Sequence, residues 1–544
     1  MSKVAQYLNE HLLGEVTTND NVRRRYSTDG SVISIVPDMV IYPRSTSDLR
    51  KVARFSWQLA EKGHKLPVTP RGAGSDQTGG AIGSGVVVDI SAHMDTIFEV
   101  DSKQKLVRVQ PGVKFKALNQ ALKLQGLYIP SYPYSQSFST IGGAIANNAS
   151  GVLSGKYGST SRWVKQLEIV LSNGEILQTG RISKRDLEKK KGLQTFEGDI
   201  YRGIDSLITD NDQLIDSIAV EVRDNVGYNI VDVKRRDGSI DLTPLFVGSQ
   251  GTLGMISEAI LETEPLTYSP LVGAIAFPDY ESARDGLDVL RNLNPSVLEL
   301  VDGRILALAT DNGNSFPFYD DALDKDKVAA VAVIEFDDPG DRIKKKLAKK
   351  VAKAFQSQPV HVVLEGDATK TADLRALASI TSLAIVPDKG DHSAPALLNG
   401  AYIPPERFED FANALEKLES KYHIDLPLSG HVTQNVYHAR PIFDFKKTGD
   451  RQKVLKLLAE WSVAVADHKG HLIGEAGEGR LKAIFAYKEM DDSVNQMFAA
   501  IRAIFDPMDI MNTGVKQTTD LKKLVDDLRV DYDDSQYAAY GAMD

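Results

Sequence analysis

The chain has 544 residues, long enough for at least two cores, and its 74 acidic against 64 basic side chains give a net charge of −10. That balance argues against a nucleic-acid surface, and the absence of cysteine excludes disulfides, iron–sulfur ligation and thiol chemistry within the chain. No apolar run reaches about 18 residues, so no transmembrane segment is expected; the N-terminal residues lack a secretory apolar core, and a cytoplasmic location is the expectation, with peripheral membrane contact left open.

Val4, Leu8 and Leu12 recur at helical spacing and predict an N-terminal helix with a linker. Residues 38–90 then alternate strand and helix: a strand at 39–42, a helix capped by Ser47 and running to Leu59, and strands at 66–69 and 85–90. The second of these strands runs into Pro-Arg-Gly-Ala-Gly-Ser-Asp-Gln-Thr-Gly-Gly at 70–80. A second lobe over 97–265 holds strands at 105–109, 167–171 and 254–260. It also contains Thr-Ile-Gly-Gly-Ala-Ile-Ala-Asn-Asn-Ala-Ser-Gly at 140–151 and Phe-Val-Gly-Ser-Gln-Gly-Thr-Leu-Gly at 246–254.

Glycine-rich turns of this kind let backbone N–H groups approach a ligand and form an anion nest. Two of them imply one large ligand carrying a diphosphate. Neither is a phosphate loop, because no Gly-Lys-Ser/Thr follows, and neither opens a helix as the nicotinamide fingerprint does.

A boundary falls near 264–270. Beyond it, apolar strands at 271–277, 329–336 and 400–403 each precede a helix, over 281–293, 341–355 and 405–422. This pattern predicts an α+β domain with helices packed on one face of a sheet. The lysine-rich run at 344–350 reads as a solvated helix face. From Asp520 the chain is acidic, with Leu521, Leu524 and Leu528 suggesting a short amphipathic helix before a flexible end.

The three glycine turns, in this order, resemble the FAD-binding domain of the vanillyl-alcohol oxidase and p-cresol methylhydroxylase superfamily, and 26–29 and 40–45 are similar to its start. The resemblance implies a two-lobed FAD-binding domain over 1–265, a cap domain with an antiparallel sheet over 266–500, a return to the FAD domain over 501–519 and an acidic tail over 520–544. It also implies that the cofactor is held by Arg71, Gly72, Ala73, Gly74, Ser75, Asp76, Gly79 and Gly80 of the first turn. Pro133, Ser135, Thr140, Gly142, Gly143, Asn147 and Gly151 would contribute from the second, and Gly248, Gly251, Gly254 and Ile256 from the third, with Asn512 returning near the ring. Some members attach FAD through a His of the first turn; Ser75 stands there, so non-covalent FAD is expected.

Gly-His-Val-Thr-Gln-Asn-Val-Tyr-His at 430–438, Ile-Gly-Glu-Ala-Gly-Glu-Gly-Arg at 473–480 and the run at 503–514 are similar to the C-terminal signature of FAD-linked 2-hydroxy-acid dehydrogenases. That group includes D-lactate dehydrogenases, glycolate oxidase flavin subunits and D-2-hydroxyglutarate dehydrogenases. The implied activity is oxidation of a D-2-hydroxy acid, D-lactate first among them, with hydride passing to FAD and electrons leaving to oxygen, a quinone, a soluble carrier or another subunit. An oxidase of another alcohol or sugar-like substrate, or a flavoprotein subunit that transfers electrons without such catalysis, is the alternative.

His431, His438 and Glu475 are a suitable donor set for Zn²⁺ or Mn²⁺. An odd separation would put the two His on opposite faces of one straight strand, so a turn at 433–435 is required to join them. Two hydrogen-bonding histidines at a domain interface would carry the same spacing. Arg375 and Arg480 are candidate anchors for the substrate carboxylate, since a guanidinium binds one bidentately; Arg375 reads equally as a helix-surface residue. The family's catalytic His after the Glu is Ala476 here, which leaves His431, His438 and Tyr437 as the nearest candidate bases in sequence.

Overall fold

The computed structural model describes residues 3–219, 225–266, 270–311, 313–321, 327–337, 340–380, 393–444, 447–517 and 521–529. The helix Lys3–His11 leads into a four-stranded sheet in the order Glu15–Thr17, Met39–Tyr42, Val86–Asp89, Val68–Arg71, the last three parallel. Parallel strands need a crossover, and Thr46–Glu61 supplies the one between Met39–Tyr42 and Val68–Arg71. This helix begins one residue before Ser47, the expected cap, so Ser47 lies inside it; Ser45 occupies the cap position without a side-chain bond.

A five-stranded antiparallel sheet follows, in the order Ile97–Asp101, Leu106–Val109, Met255–Glu262, Val164–Val170, Ile176–Gln178. Its long central strand, Met255–Glu262, carries the chain from the third glycine turn towards the next domain.

The third sheet has seven antiparallel strands in the order His361–Glu365, Leu271–Phe277, Ala330–Phe336, Val297–Asp302, Leu428–His431, Val436–Ala439, Leu398–Tyr402. Helices cover both faces of its first half, not one as the pattern suggested. Val272, Ala274 and Ala276 pack with Ile305, Leu306, Leu374 and Leu377. Leu271, Ile275 and Phe277 pack with Leu287, Leu290, Val351 and Phe355 on the other side. Hence every residue of Leu271–Phe277 and Ala330–Phe336 is buried, and the strands read as continuous apolar runs instead of alternating ones.

Near residue 505 the chain packs back on the smaller sheets: Phe505 packs edge-on against Phe246, and Val68 pairs with Met511 beside the four-stranded sheet. The short helix near the C-terminus is Leu521–Asp526, with Leu524 buried. The flexible end expected after it lies outside the described residues. Among the described residues, no helix is long and apolar enough to cross a membrane.

Candidate active site

A cleft of roughly 1630 Å³, its open mouth included, runs between the two smaller sheets and the seven-stranded one. One end is made of turns. Arg71 to Asp76 and Gly80 line it from the first, Pro133, Ser135, Thr140, Gly142, Gly143 and Asn147 from the second, and Gly251, Gly254 and Ile256 from the third. The first two turns touch because Gly72 has no side chain: a Cβ there would lie 2.2 Å from Thr140 Oγ1. The Arg71 guanidinium folds back beneath its own turn, donating to Thr28 O at 2.8 Å and lying over the Tyr26 ring. The backbone N–H groups of Gly72, Ala73, Ser75 and Asp76 meet no protein acceptor among the described residues, which is the arrangement of an anion nest. Thr140 Oγ1 accepts from Gly143 N–H, and the space where a Gly143 Cβ would stand is otherwise open to the cleft.

Four expected cofactor residues stand behind this lining. Gly79 packs against Ile33, Gly151 accepts from Gln434 Nε2 through its carbonyl, and Gly248 N–H bonds Ile145 O at 2.9 Å. Asn512 is fully buried and donates to Gly80 O at 2.7 Å and Gln250 O at 2.6 Å, tying the first and third turns together. Gln250, which the sequence did not single out, is the hub. Its Nε2 reaches Asn147 Oδ1 and Thr78 Oγ1, and its Oε1 accepts from Gly479 N–H at 2.9 Å. Asn147 Oδ1 also accepts from Gly477 N–H at 2.9 Å. The turn at 473–480 is thereby fastened to all three glycine turns.

The other end of the cleft is made of side chains. Strands Leu428–His431 and Val436–Ala439 form a hairpin in which His431 faces Val436 and Ser429 faces His438. His431 and His438 are therefore diagonal neighbours on one face, and their ring centroids lie 5.2 Å apart. The turn between them has Asn435 at φ 56°, which satisfies the requirement set by the odd spacing. Glu475 completes the cluster, its Oε2 3.5 Å from His431 Nε2 and its Oε1 3.6 Å from His438 Nε2. Gly400, at φ 75°, makes room for it, since a Cβ there would fall 2.9 Å from Glu475 Cγ.

The two imidazoles differ in their outer bonds. His431 Nδ1 lies 2.7 Å from Glu299 Oε2, directly across the strand pair. Burial raises the Glu299 carboxyl above its ordinary range, with His431 opposing that shift. His438 Nδ1 accepts from Gly400 N–H at 3.0 Å. Burial, with His431, Arg440 and Lys482 nearby, holds His438 well below the usual histidine value, so it is neutral at pH 7 with its proton on Nε2.

Two of the expected anchors do not reach the cleft. Arg375 gives both arms of its fork to Glu335, at 2.8 and 2.7 Å, on a strand of the large sheet. Arg480 is buried and engaged by backbone oxygens of Ile82 and Thr513 and by Asn512 Oδ1. Tyr437 points to the opposite face from His438 by strand alternation and stacks on Phe408 at 4.4 Å. Besides Arg71 of the first turn, the cations that line the cleft are Arg440 and Lys482, both buried. Neither was foreseen. Glu299 was missed too, although an acid inside the apolar run Val297–Asp302 is a signal that sequence alone carries. Ala476 lines the cleft at φ 57°.

A sheet-built, two-lobed domain with glycine turns facing a cap sheet defines a flavoprotein fold of the p-cresol methylhydroxylase type. The solved structure of p-cresol methylhydroxylase with substrate bound superposes with a TM-score of 0.67 at 12% identity, covering 95% of this chain and 96% of the other. The chain belongs to the FAD-linked oxidases: the family "FAD binding domain" matches residues 37–180 and "FAD linked oxidases, C-terminal domain" matches 270–515. It is 28% identical to D-2-hydroxyglutarate dehydrogenase of Pantoea ananatis over 92% of this chain, and spans about half of that relative's length, 50%. It is 26% identical to glycolate oxidase subunit GlcD of Bacillus subtilis, covering 90% of this chain and 91% of the relative.

Proposed function

We propose that the chain oxidises a small D-2-hydroxy acid, of the D-lactate kind, to the 2-keto acid, using one FAD held without a covalent bond. The observation that carries this reading is the single cleft joining the anion nest of Gly72–Asp76 to the cluster of His431, His438 and Glu475. FAD, when bound, supplies the acceptor for the hydride from the substrate C2. The residues of this chain supply the rest. The nest and the N-terminal turn around Thr140 suit the diphosphate. Ser75 has no ring nitrogen to form a flavin bond and the chain has no cysteine, so acid precipitation frees all the yellow colour from the denatured protein.

With Ala476 unable to take a proton, the cluster must manage the substrate hydroxyl. His438 presents Nε2–H and is a donor, so it orients an oxygen and does not deprotonate it. His431 has Glu299 at Nδ1, which keeps the proton on that nitrogen and leaves Nε2, 3.5 Å from Glu475 Oε2, as the nitrogen that accepts one. This is the carboxylate–imidazole logic of a general base.

The same atoms suit a divalent ion. Ligand atoms of His431, His438 and Glu475 lie within 4.8 Å of one another, and Glu299 is the outer carboxylate that metal-bound histidines commonly have. A Zn²⁺ or Mn²⁺ held there would acidify a bound hydroxyl, and would need His438 as its Nδ1–H tautomer, giving up the hydrogen bond from Gly400 N–H. Ion and base use the same lone pair of His431, so the two readings exclude each other. Activity that survives exhaustive chelation supports the base; loss that Zn²⁺ or Mn²⁺ restores supports the ion.

The primary test is anaerobic reduction of the bound flavin by a panel of D- and L-2-hydroxy acids. Reduction by none of them removes the proposal. Ala476 favours a second reading, a flavoprotein that has lost this reaction, and that outcome would select it. Oxygen, quinone and soluble-carrier assays on the reduced protein then identify the electron acceptor.

A further inference from the structure

Lys482 is a buried ammonium at the cleft wall whose hydrogen bonds, among the described residues, go only to neutral oxygens. Its Nζ donates to Asn399 twice, to the backbone oxygen and to Oδ1, the latter at 2.7 Å. Among the described residues no carboxylate comes within 4.0 Å of it; Glu475 and Asp76 act on it from farther away. An ammonium has three donors. Asn399 takes two of them, and one remains for the cleft. A cation buried against neutral acceptors is unfavourable until an anion joins it, and burial accordingly pulls the Lys482 value down to about 8.

The position is defined from both sides. Asn399 Nδ2 donates to Gln77 Oε1 at 2.5 Å, which fixes the amide against the first glycine turn. The next residue, Gly400, donates its N–H to His438 Nδ1. Lys482 is thus held one residue along the strand Leu398–Tyr402 from the imidazole pair. The guanidinium groups of Arg375 and Arg480 are taken up elsewhere.

Resting on the hydroxy-acid reading above, we propose that Lys482 is the anion anchor of this site. It donates to the carboxylate of the incoming acid while the cluster of His431, His438 and Glu475 engages the hydroxyl. The anchor is electrostatic, so the affinity for a carboxylate falls as pH rises through about 8, where the unliganded ammonium loses its proton.

The test is a titration of the FAD-loaded protein with pyruvate and with 2-oxoglutarate, without oxygen, following the shift of the flavin absorption band. The wild type saturates. Lys482→Met weakens the keto acid by about ten- to a hundredfold, the effect of one charge-assisted hydrogen bond, with flavin content and reduction potential unchanged. Lys482→Arg keeps the cation, recovers part of the affinity and moves its loss to higher pH.

Three results overturn the anchor. Equal affinity in Lys482→Met makes the residue structural. A lowered reduction potential with unchanged affinity assigns the ammonium to the reduced flavin. A wild-type reduction rate that climbs above pH 8 and collapses in Lys482→Met, at unchanged affinity, makes it a base. A wild-type flavin that neither shifts with keto acids nor is reduced by hydroxy acids refutes the hydroxy-acid reading itself, and the anchor falls with it.

Discussion

At the turn end of the cleft the lining is largely backbone; at the cap end it is charged side chains. The turn end is shaped by glycines at close approaches and by amides such as Gln250 and Asn512 that stitch loop to loop. Those amides carry no charge of their own, although Gln250 Nε2 also reaches Asp76 Oδ1 at 3.4 Å. The cap end concentrates Glu299, His431, His438, Arg440 and Lys482, all buried, with the half-buried Glu475. Its properties depend on where protons sit and on which anion or cation arrives. One cleft therefore joins a preformed mould to a chemically adjustable wall, and damage to each should look different.

The largest effect belongs to the mould. Gly143→Leu places a side chain in the open space beside Thr140, and the purified protein should contain no flavin while keeping its far-ultraviolet dichroism. Normal flavin content would separate the second glycine turn from the cofactor.

The next effect belongs to the wall. Glu299→Gln keeps the shape at His431 and removes the negative charge, so flavin content should stay at one per chain. Reduction by the hydroxy acid should slow by about 10²–10⁴-fold, the range for loss of acid–base assistance. Unchanged rapid-mixing traces would take His431 out of the proton path. Together these two variants separate binding from chemistry, the division that the two ends of the cleft imply.

The same division decides what could be read in advance. A backbone-built site leaves its trace in local order, because glycines must stand at the turn and the turn must follow the strand. Gly72, Thr140 and Gly143 were legible for that reason, and so was the parallel strand–helix–strand unit around Thr46–Glu61. A side-chain site depends on sheet register, which joins residues far apart in the chain. Glu299 reaches His431 across a strand pair, and Lys482 reaches the cleft through Asn399. His431 and His438 could be paired only because the turn between them is short. The two-sided cover of the cap sheet was misjudged because a continuous apolar strand does not say which face a helix takes.

Ala476→His sharpens the account of the wall. The residue stands at φ 57°, and His is among the types enriched in that left-handed region, so the backbone should accept it. On the reading that His431 is the acceptor, the added imidazole should change the rate of flavin reduction by about tenfold or less. A gain of about a hundredfold or more would mean that the native cluster lacks an effective base. The structure of that variant would then show which proton path the added ring completes.

The smallest expected effect concerns Arg375, and it separates a charged pair near the wall from the wall itself. Both arms of its fork bond Glu335, whose own carboxylate is buried, and the residue does not line the cleft. A substrate carboxylate would have to displace Glu335 and leave that carboxylate buried without its partner, which is strongly unfavourable. Arg375→Gln should therefore alter KM for the hydroxy acid by less than about threefold, a difference of well under 1.4 kcal/mol. Its cost should appear instead in thermal stability, as a lowered midpoint for unfolding, because Glu335 loses its bidentate partner. Glu335→Gln combined with Arg375→Gln should recover part of that loss, since a neutral pair buries no lone charge. A KM raised tenfold or more with an unchanged midpoint would reverse the assignment. Arg375 would then be the residue that turns towards the substrate, and Glu335 the group that holds it back until an anion arrives.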